Sequence, residues 1–90
     1  MDLTKIIKNA VRDKKVILGY NKVIKEIKTK KPELIIHAEN IPKDRLETIM
    51  HNAKLANIDI KQYPNDNVSL GLICGKPFSV SVLVIEGSEK

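Results

Sequence analysis

Apolar residues recur along the chain with two alternating spacings, and these spacings predict the order of its helices and strands. Intervals of three and four residues mark 2–13, 20–29, 43–56 and 68–74 as amphipathic helices. Short aliphatic or alternating runs mark 16–18, 34–38, 58–63 and 79–85 as strands. Because helices and strands alternate throughout, the sequence predicts an α/β fold, a three-layer sandwich with helices on both faces of one sheet.

The composition of the strands predicts how they are placed. Residues 16–18 form a short β-branched run, which indicates a buried strand, and 34–38 are apolar at nearly every position, as expected for a central strand. The alternating residues 58–63 suit a strand nearer an edge. Lys30-Lys31-Pro32 is predicted to end the second helix, Pro42 to lie in the first turn of the third, and Asn57 to cap the end of that helix. Residues 86–90 form a polar tail.

Length and charge narrow the classes of function. The 90 residues suit a single domain, 1–90, with a modest aliphatic core. Sixteen basic residues against eleven acidic ones give a net charge of +5, which favours a polyanionic partner. With Cys74 as its one cysteine, and without a signal peptide or an apolar run of membrane length, the chain is expected to be cytoplasmic, with no membrane partner.

Candidate binding residues follow the predicted strands. In an open α/β sheet, ligands gather at the carboxyl ends of the strands. These junctions offer amides, a lysine and helix N-termini, which suit contacts to base edges and to phosphate. The three junctions are Gly19-Tyr20-Asn21-Lys22, Glu39-Asn40-Ile41-Pro42 and Pro64-Asn65-Asp66-Asn67.

Each of these residues also has a purely structural interpretation. Asn21 and Asn40 are equally suited to capping helices, and Gly19 to forming a turn. The face that carries Lys22, Lys25 and Lys28 is equally consistent with a solvated helix surface. Phe78, the one phenylalanine, lies at a loop-to-strand junction, where its ring would either stack on an unpaired base or seal the core.

The sequence offers little to support an enzyme. A Cys74 nucleophile requires a base that the neighbouring positions do not supply, and His37 lies in an apolar strand where a packed histidine is expected. His51 lies on a predicted helix, apart from any carboxylate pair. No phosphate-binding glycine motif is present, and no cofactor or metal is expected.

Three stretches of the chain resemble a known family. They are VILGYNK at 16–22, LIIHAEN at 34–40 and NVSLGLICGKPFSV at 67–80. The first two resemble the strand and loop pairs of the kink-turn RNA-binding superfamily. The third looks like the N-x-x-L-G-x-x-C-G-K-x-F-x-V stretch of its thirty-e branch, a family of large-subunit ribosomal proteins found in archaea and eukaryotes. The resemblance spans residues 3–86.

The resemblance implies a fold and a site. The fold would be an α-β-α sandwich with a four-stranded mixed sheet. The chain would bind a sharply bent internal loop of ribosomal RNA, next to neighbouring large-subunit proteins, and would be monomeric when free. The implied contacts come from three loops: Gly19, Asn21, Lys22 and Lys25; Glu39 and Asn40; Gly75, Lys76, Pro77 and Phe78.

Three other functions remain open at this stage. A stand-alone kink-turn binder of an RNA-processing particle keeps the same chemistry in another assembly. A protein-interaction domain with a basic surface would not bind structured RNA at moderate salt. A small enzyme would need a catalytic set that the sequence does not reveal.

Overall fold

The computed structural model describes residues 3–29 and 32–86, and within them the helices and strands follow the predicted order. The helices are α1 (Leu3–Arg12), α2 (Tyr20–Thr29), α3 (Lys43–Ala56) and α4 (Asn67–Ile73). The strands are β1 (Val16–Leu18), β2 (Leu34–His37), β3 (Asp59–Gln62) and β4 (Val82–Ile85).

The strands form one mixed, open sheet in the order β1-β4-β2-β3. Strand β4 pairs antiparallel with both β1 and β2, and β2 pairs parallel with β3. The central position of β2 and the edge position of β3 are therefore confirmed. Since β1, β2 and β3 all run opposite to β4, their carboxyl ends lie at the same edge of the sheet as the amino end of β4.

Side-chain alternation along the central strands builds an apolar layer on each face of the sheet. Ile36 packs with α1 and α4 on one face, and its neighbour Ile35 packs with α2 and α3 on the other. Strand β4 divides in the same way, with Leu83 on the first face and Val84 on the second. The predicted three-layer α/β sandwich is thus confirmed.

Some local predictions are confirmed and others need correction. Asn57 adopts the left-handed conformation, with φ of 62°, and caps the end of α3 as predicted. Pro42 precedes α3 in an extended conformation instead of lying in its first turn. Strand β1 is only partly buried, because it is an edge strand that pairs with β4 alone.

Strand β4 begins at Val82, three residues later than predicted, and α4 begins one residue earlier, at Asn67. The N–H of Val80 donates to the carbonyl of Asn67 in α4 (3.0 Å), so the chain at Val80 is bound to a helix before it joins the sheet at Ser81, whose carbonyl accepts the N–H of Ala38 (2.8 Å). Cys74 follows α4 as its C-cap residue. Three predicted features lie outside the described residues: Asp2 in the first helix, the Lys30-Lys31 stop and the tail at 87–90.

Helix α4 offers a matched test of this packing, because it carries one fully buried leucine and one exposed leucine. Leu70 is 0% exposed and Leu72 is 70% exposed. Leu70→Ala is expected to lower the free energy of unfolding by about 2–5 kcal/mol, since it leaves a cavity under the sheet. Leu72→Ala is expected to change it by less than about 0.5 kcal/mol. Urea unfolding measures both, and equal losses would show that α4 does not pack as described.

Candidate functional site

Four loop segments meet at the edge of the sheet where β1, β2 and β3 end and β4 begins. They are residue 19 after β1, residues 38–42 after β2, residues 63–66 after β3 and residues 74–81 before β4. The order of the strands places the segment before β4 between the loops that follow β1 and β2. All the loop residues predicted as binding residues therefore lie at one end of the molecule.

A groove of about 490 Å³ opens at this end, between β1, the start of α2 and the segment before β4. Three cationic side chains, Lys22, Arg45 and Lys76, line it, and among residues 3–29 and 32–86 no carboxylate does. Gly19 and Phe78 also line the groove. The groove is a concave surface of one charge sign, which concentrates polyanions near it.

Phe78 projects into solvent at the rim of this groove. Its side chain is 58% exposed, so the interpretation in which it seals the core is wrong. An exposed aromatic ring beside lysines offers a flat apolar face on which an unpaired base can stack. Sequence alone left these two interpretations open because either is common at a loop-to-strand junction.

Gly19 gives the groove an open backbone. It has φ of +101°, a conformation that L side chains rarely adopt, and no atom lies within 4 Å of the position its Cβ would occupy. Its carbonyl accepts the N–H of Val23 (2.9 Å) in the first turn of α2. The chain therefore turns at Gly19, and its backbone is open on the side that a Cβ would occupy.

Arg45 lines the groove, although no sequence pattern predicted it as a site residue. Its guanidinium lies 5.0 Å from the ring centroid of Tyr20, within the range of a cation–π contact. This contact holds the first turn of α3 against the first turn of α2. In the sequence, Arg45 is one of several charged residues of α3 and is indistinguishable from a solvated surface residue. Only the packing of α3 against α2 brings it to the site.

Lys25 and Asn21 lie on α2 outside the groove. Lys22 lines both the groove and a smaller depression of about 260 Å³, and Lys25 lines the second one. Basic side chains therefore extend along α2 away from the loops. Asn21 is exposed at the second position of the helix, beyond the capping residue Gly19, so it does not cap α2.

Asn40 is bound to the start of α4. Its side-chain Oδ1 accepts the backbone N–H of Asn67 (2.9 Å), and its Nδ2 donates to Oδ1 of Asn67 (3.1 Å). It therefore caps a helix, as the structural interpretation allowed, but a helix 27 residues away and not the one that follows it. The neighbouring side chain of Glu39 is exposed.

The loop of Gly75, Lys76, Pro77 and Phe78 is held against α4. The N–H of Lys76 donates to the carbonyl of Gly71 (3.0 Å), and a Cβ at Gly71 would overlap the carbonyl oxygen of Phe78. Gly75 has φ of +74° at the turn out of the helix, and Pro77 is exposed.

Gly71 was not predicted as a functional residue, and Asn67 was considered only as part of the polar junction after the third strand. Both stand in the N-x-x-L-G stretch quoted above, which marked these positions without revealing what they do.

Of the side chains considered for catalysis, His37 and Cys74 are buried and His51 is exposed on α3. His37 is buried, and its Nδ1 donates to the carbonyl of Ala38 (2.9 Å), as expected for a packed histidine. Burial raises the pKa of the Cys74 thiol to about 11, against an opposing effect from the charge of Lys76. The thiol is therefore protonated at neutral pH. Within residues 3–29 and 32–86 no group of three potential metal ligands comes together, and no helix is long and apolar enough to cross a membrane.

Comparisons with known proteins agree on one family. A sequence model of the ribosomal protein L7Ae/L30e/S12e/Gadd45 family matches residues 1–90. Large ribosomal subunit protein eL30 of Methanocaldococcus jannaschii is 44% identical over 85 residues, which cover 94% of this chain and 77% of that protein. The eL30 proteins of Methanosphaera stadtmanae and Saccharolobus solfataricus are 46% and 40% identical, covering 96% and 93% of this chain and 88% and 80% of their own.

Solved structures show the same fold at lower sequence identity. A protein of unknown function from Bacillus halodurans matches with a TM-score of 0.86 at 18% identity, over 94% of this chain and 84% of that one. The 15.5 kD RNA-binding protein of Giardia lamblia matches with a TM-score of 0.81 at 20% identity, over 97% and 72%. At these identities the likeness concerns the fold alone.

The close approach of Gly71 to the loop of Phe78 can be tested through the sign of a stability change. Alanine in place of glycine inside a helix ordinarily stabilises it by about 1 kcal/mol. Gly71→Ala is expected instead to destabilise the protein by about 1–3 kcal/mol, because the new methyl group overlaps a backbone oxygen. Urea unfolding measures the change, with the exposed Val68→Ala of the same helix as the control. A stabilised Gly71→Ala would contradict the described contact.

Proposed function

The chain belongs to the ribosomal protein L7Ae/L30e/S12e/Gadd45 family, and from this we propose that it is a structural constituent of the large ribosomal subunit in the cytoplasm. The relatives described above are large-subunit proteins that match nearly the whole chain. On the same ground, the chain is not an enzyme.

The proposed ligand is a kink-turn-like internal loop of ribosomal RNA. The observation that carries this proposal is the groove that Lys22, Arg45 and Lys76 line together with an exposed Phe78, with no carboxylate from the part of the chain that the structure describes. The three cations would neutralise phosphates where the RNA backbone turns sharply. The ring would stack on a base that the bend leaves unpaired, and Gly19 would let the backbone come close.

The remaining predicted residues surround the groove. Lys25 would extend the phosphate contacts along α2, and Asn21 would offer an amide to a base edge. Glu39 would accept hydrogen bonds from exocyclic amino groups of bases. Gly75 and Pro77 would shape the loop that presents Lys76 and Phe78.

Two alternatives share parts of this surface. A stand-alone kink-turn binder would use the same groove, but the similarity to eL30 proteins over most of the chain favours the ribosome. A protein-interaction domain would use the basic surface without selecting an RNA shape. In the proposed setting, the protein partners are neighbouring large-subunit proteins, and the free chain is expected to be a monomer.

A titration against two RNAs tests the proposal. The purified protein is mixed, at near-physiological salt, with a kink-turn RNA and with a fully paired duplex of equal length. Tight binding to the bent RNA alone is expected, since the groove is concave and its ring requires an unpaired base. Equal and weak binding to both would reduce the site to general electrostatics and would favour the protein-partner alternative.

Two lysines of α2 provide a matched pair of variants. Lys22→Ala is expected to weaken kink-turn binding and to lower the slope of log K against log salt by about one, because one phosphate contact is lost. Lys28 is exposed on the same helix but lines neither depression, so Lys28→Ala should leave the slope nearly unchanged. The same change of slope in both variants would mean that charge alone, and not the groove, attracts the RNA.

A further inference from the structure

We infer that Asn40 and Asn67 form an amide pair that positions the segment carrying Phe78 for RNA, and that Asn40 acts through this pair instead of reading a base. This inference rests on the proposed function of the loop edge. It assigns Asn67, which the sequence placed only in the polar junction after the third strand, to the binding machinery as a positioning residue.

The two hydrogen bonds of the pair occupy the polar edge of Asn40. An asparagine that reads an adenine uses its oxygen and its amide nitrogen together, side by side. In Asn40 both atoms already face Asn67, with distances of 2.9 Å from the backbone N–H of Asn67 to Oδ1 and 3.1 Å from Nδ2 to the Asn67 Oδ1. Reading an adenine through this edge would therefore require breaking two bonds that the free protein already makes.

Asn67 transmits this attachment to the segment before β4. Its carbonyl accepts the N–H of Val80 (3.0 Å), two residues after Phe78. The same helix turn is fixed by Asp66, whose carboxylate accepts the N–H of Ser69 (3.0 Å). Asn67 thus joins the loop after β2 to the far side of the loop that presents the ring of Phe78.

Gly71 supplies the second support of that segment. It lies one helical turn after Asn67, where the absence of a side chain lets the carbonyl of Phe78 rest against the helix. The segment of Phe78 is therefore held between the carbonyl of Asn67 and the surface at Gly71. Binding through a segment that is already ordered in the free protein loses less conformational entropy than binding through a segment that the RNA must order.

Hydrogen exchange of the RNA-free protein tests the pair without depending on any ligand. Asn40→Ala is expected to increase exchange at the backbone amides of Asn67 and Val80 while the overall melting temperature changes little, because the pair lies at the exposed edge. Asn9→Ala, an exposed asparagine on α1, serves as the control and should leave both amides unchanged. Unchanged exchange in Asn40→Ala would overturn the inference.

A double-mutant cycle on the kink-turn RNA then separates positioning from base reading. Asn40→Ala and Asn67→Ala are each expected to weaken binding about three- to tenfold, the usual range for lost hydrogen bonds. If the two residues act as a unit, the double variant loses no more than the weaker-binding single variant. Independent, multiplying losses would assign Asn40 to base reading and overturn the inference.

The two experiments also separate failure of the inference from failure of the proposed function. If the wild type binds neither RNA, the proposed function fails, and with it the RNA role of the pair. If the wild type selects the bent RNA but exchange at Asn67 and Val80 is insensitive to Asn40, only the positioning inference fails.

Discussion

The site depends on the pairing of β4, the last strand in the chain, between β1 and β2. Val82, Leu83 and Val84 are fully buried, and their alternation contributes to the core on both faces of the sheet. This apolar burial is the dominant source of stability, and it fixes where β4 begins. Because β4 runs opposite to its neighbours, the segment that precedes it must emerge between the loop after β1 and the loop after β2. The groove is the consequence of that placement.

The loop edge itself is held by polar contacts of a different kind. Backbone bonds from Gly19 to Val82 and from Ala38 to Ser81 extend the sheet slightly beyond its strands, and the bond from Val80 to Asn67 attaches the intervening segment to α4. Each such bond contributes only about 0.5–1.5 kcal/mol, so together they order the edge without dominating the stability of the fold. Variants at this edge are therefore expected to alter binding more than folding, whereas variants under the sheet do the reverse.

The division between the apolar core and the polar loop edge also separates what the sequence could predict from what it could not. The run at Leu34–His37 and the helical spacing of α3 are local patterns, and they predicted the element order and the central position of β2. The partial burial of β1 could not be predicted, since it follows from which strand pairs beside it. Arg45 lies at the site because α3 packs against α2. Phe78 is exposed because of the conformation of the loop that carries it. Asn67 and Gly71 act through contacts with Asn40 and Phe78 that no local spacing encodes.

The arrangement of charge supports the proposal that this edge binds a bent polyanion. Lys22, Lys76 and Arg45 line one concave surface, and the guanidinium of Arg45 lies over the ring of Tyr20 with no ion pair to a described carboxylate. A cation held by an aromatic ring retains its full charge for a ligand, whereas an ion pair would largely cancel it. A straight duplex presents a convex surface that touches only the rim of such a groove. In the proposed complex, a sharply folded backbone would bring several phosphates to the three cations and leave an unstacked base for Phe78, so that shape and charge would select the same RNA.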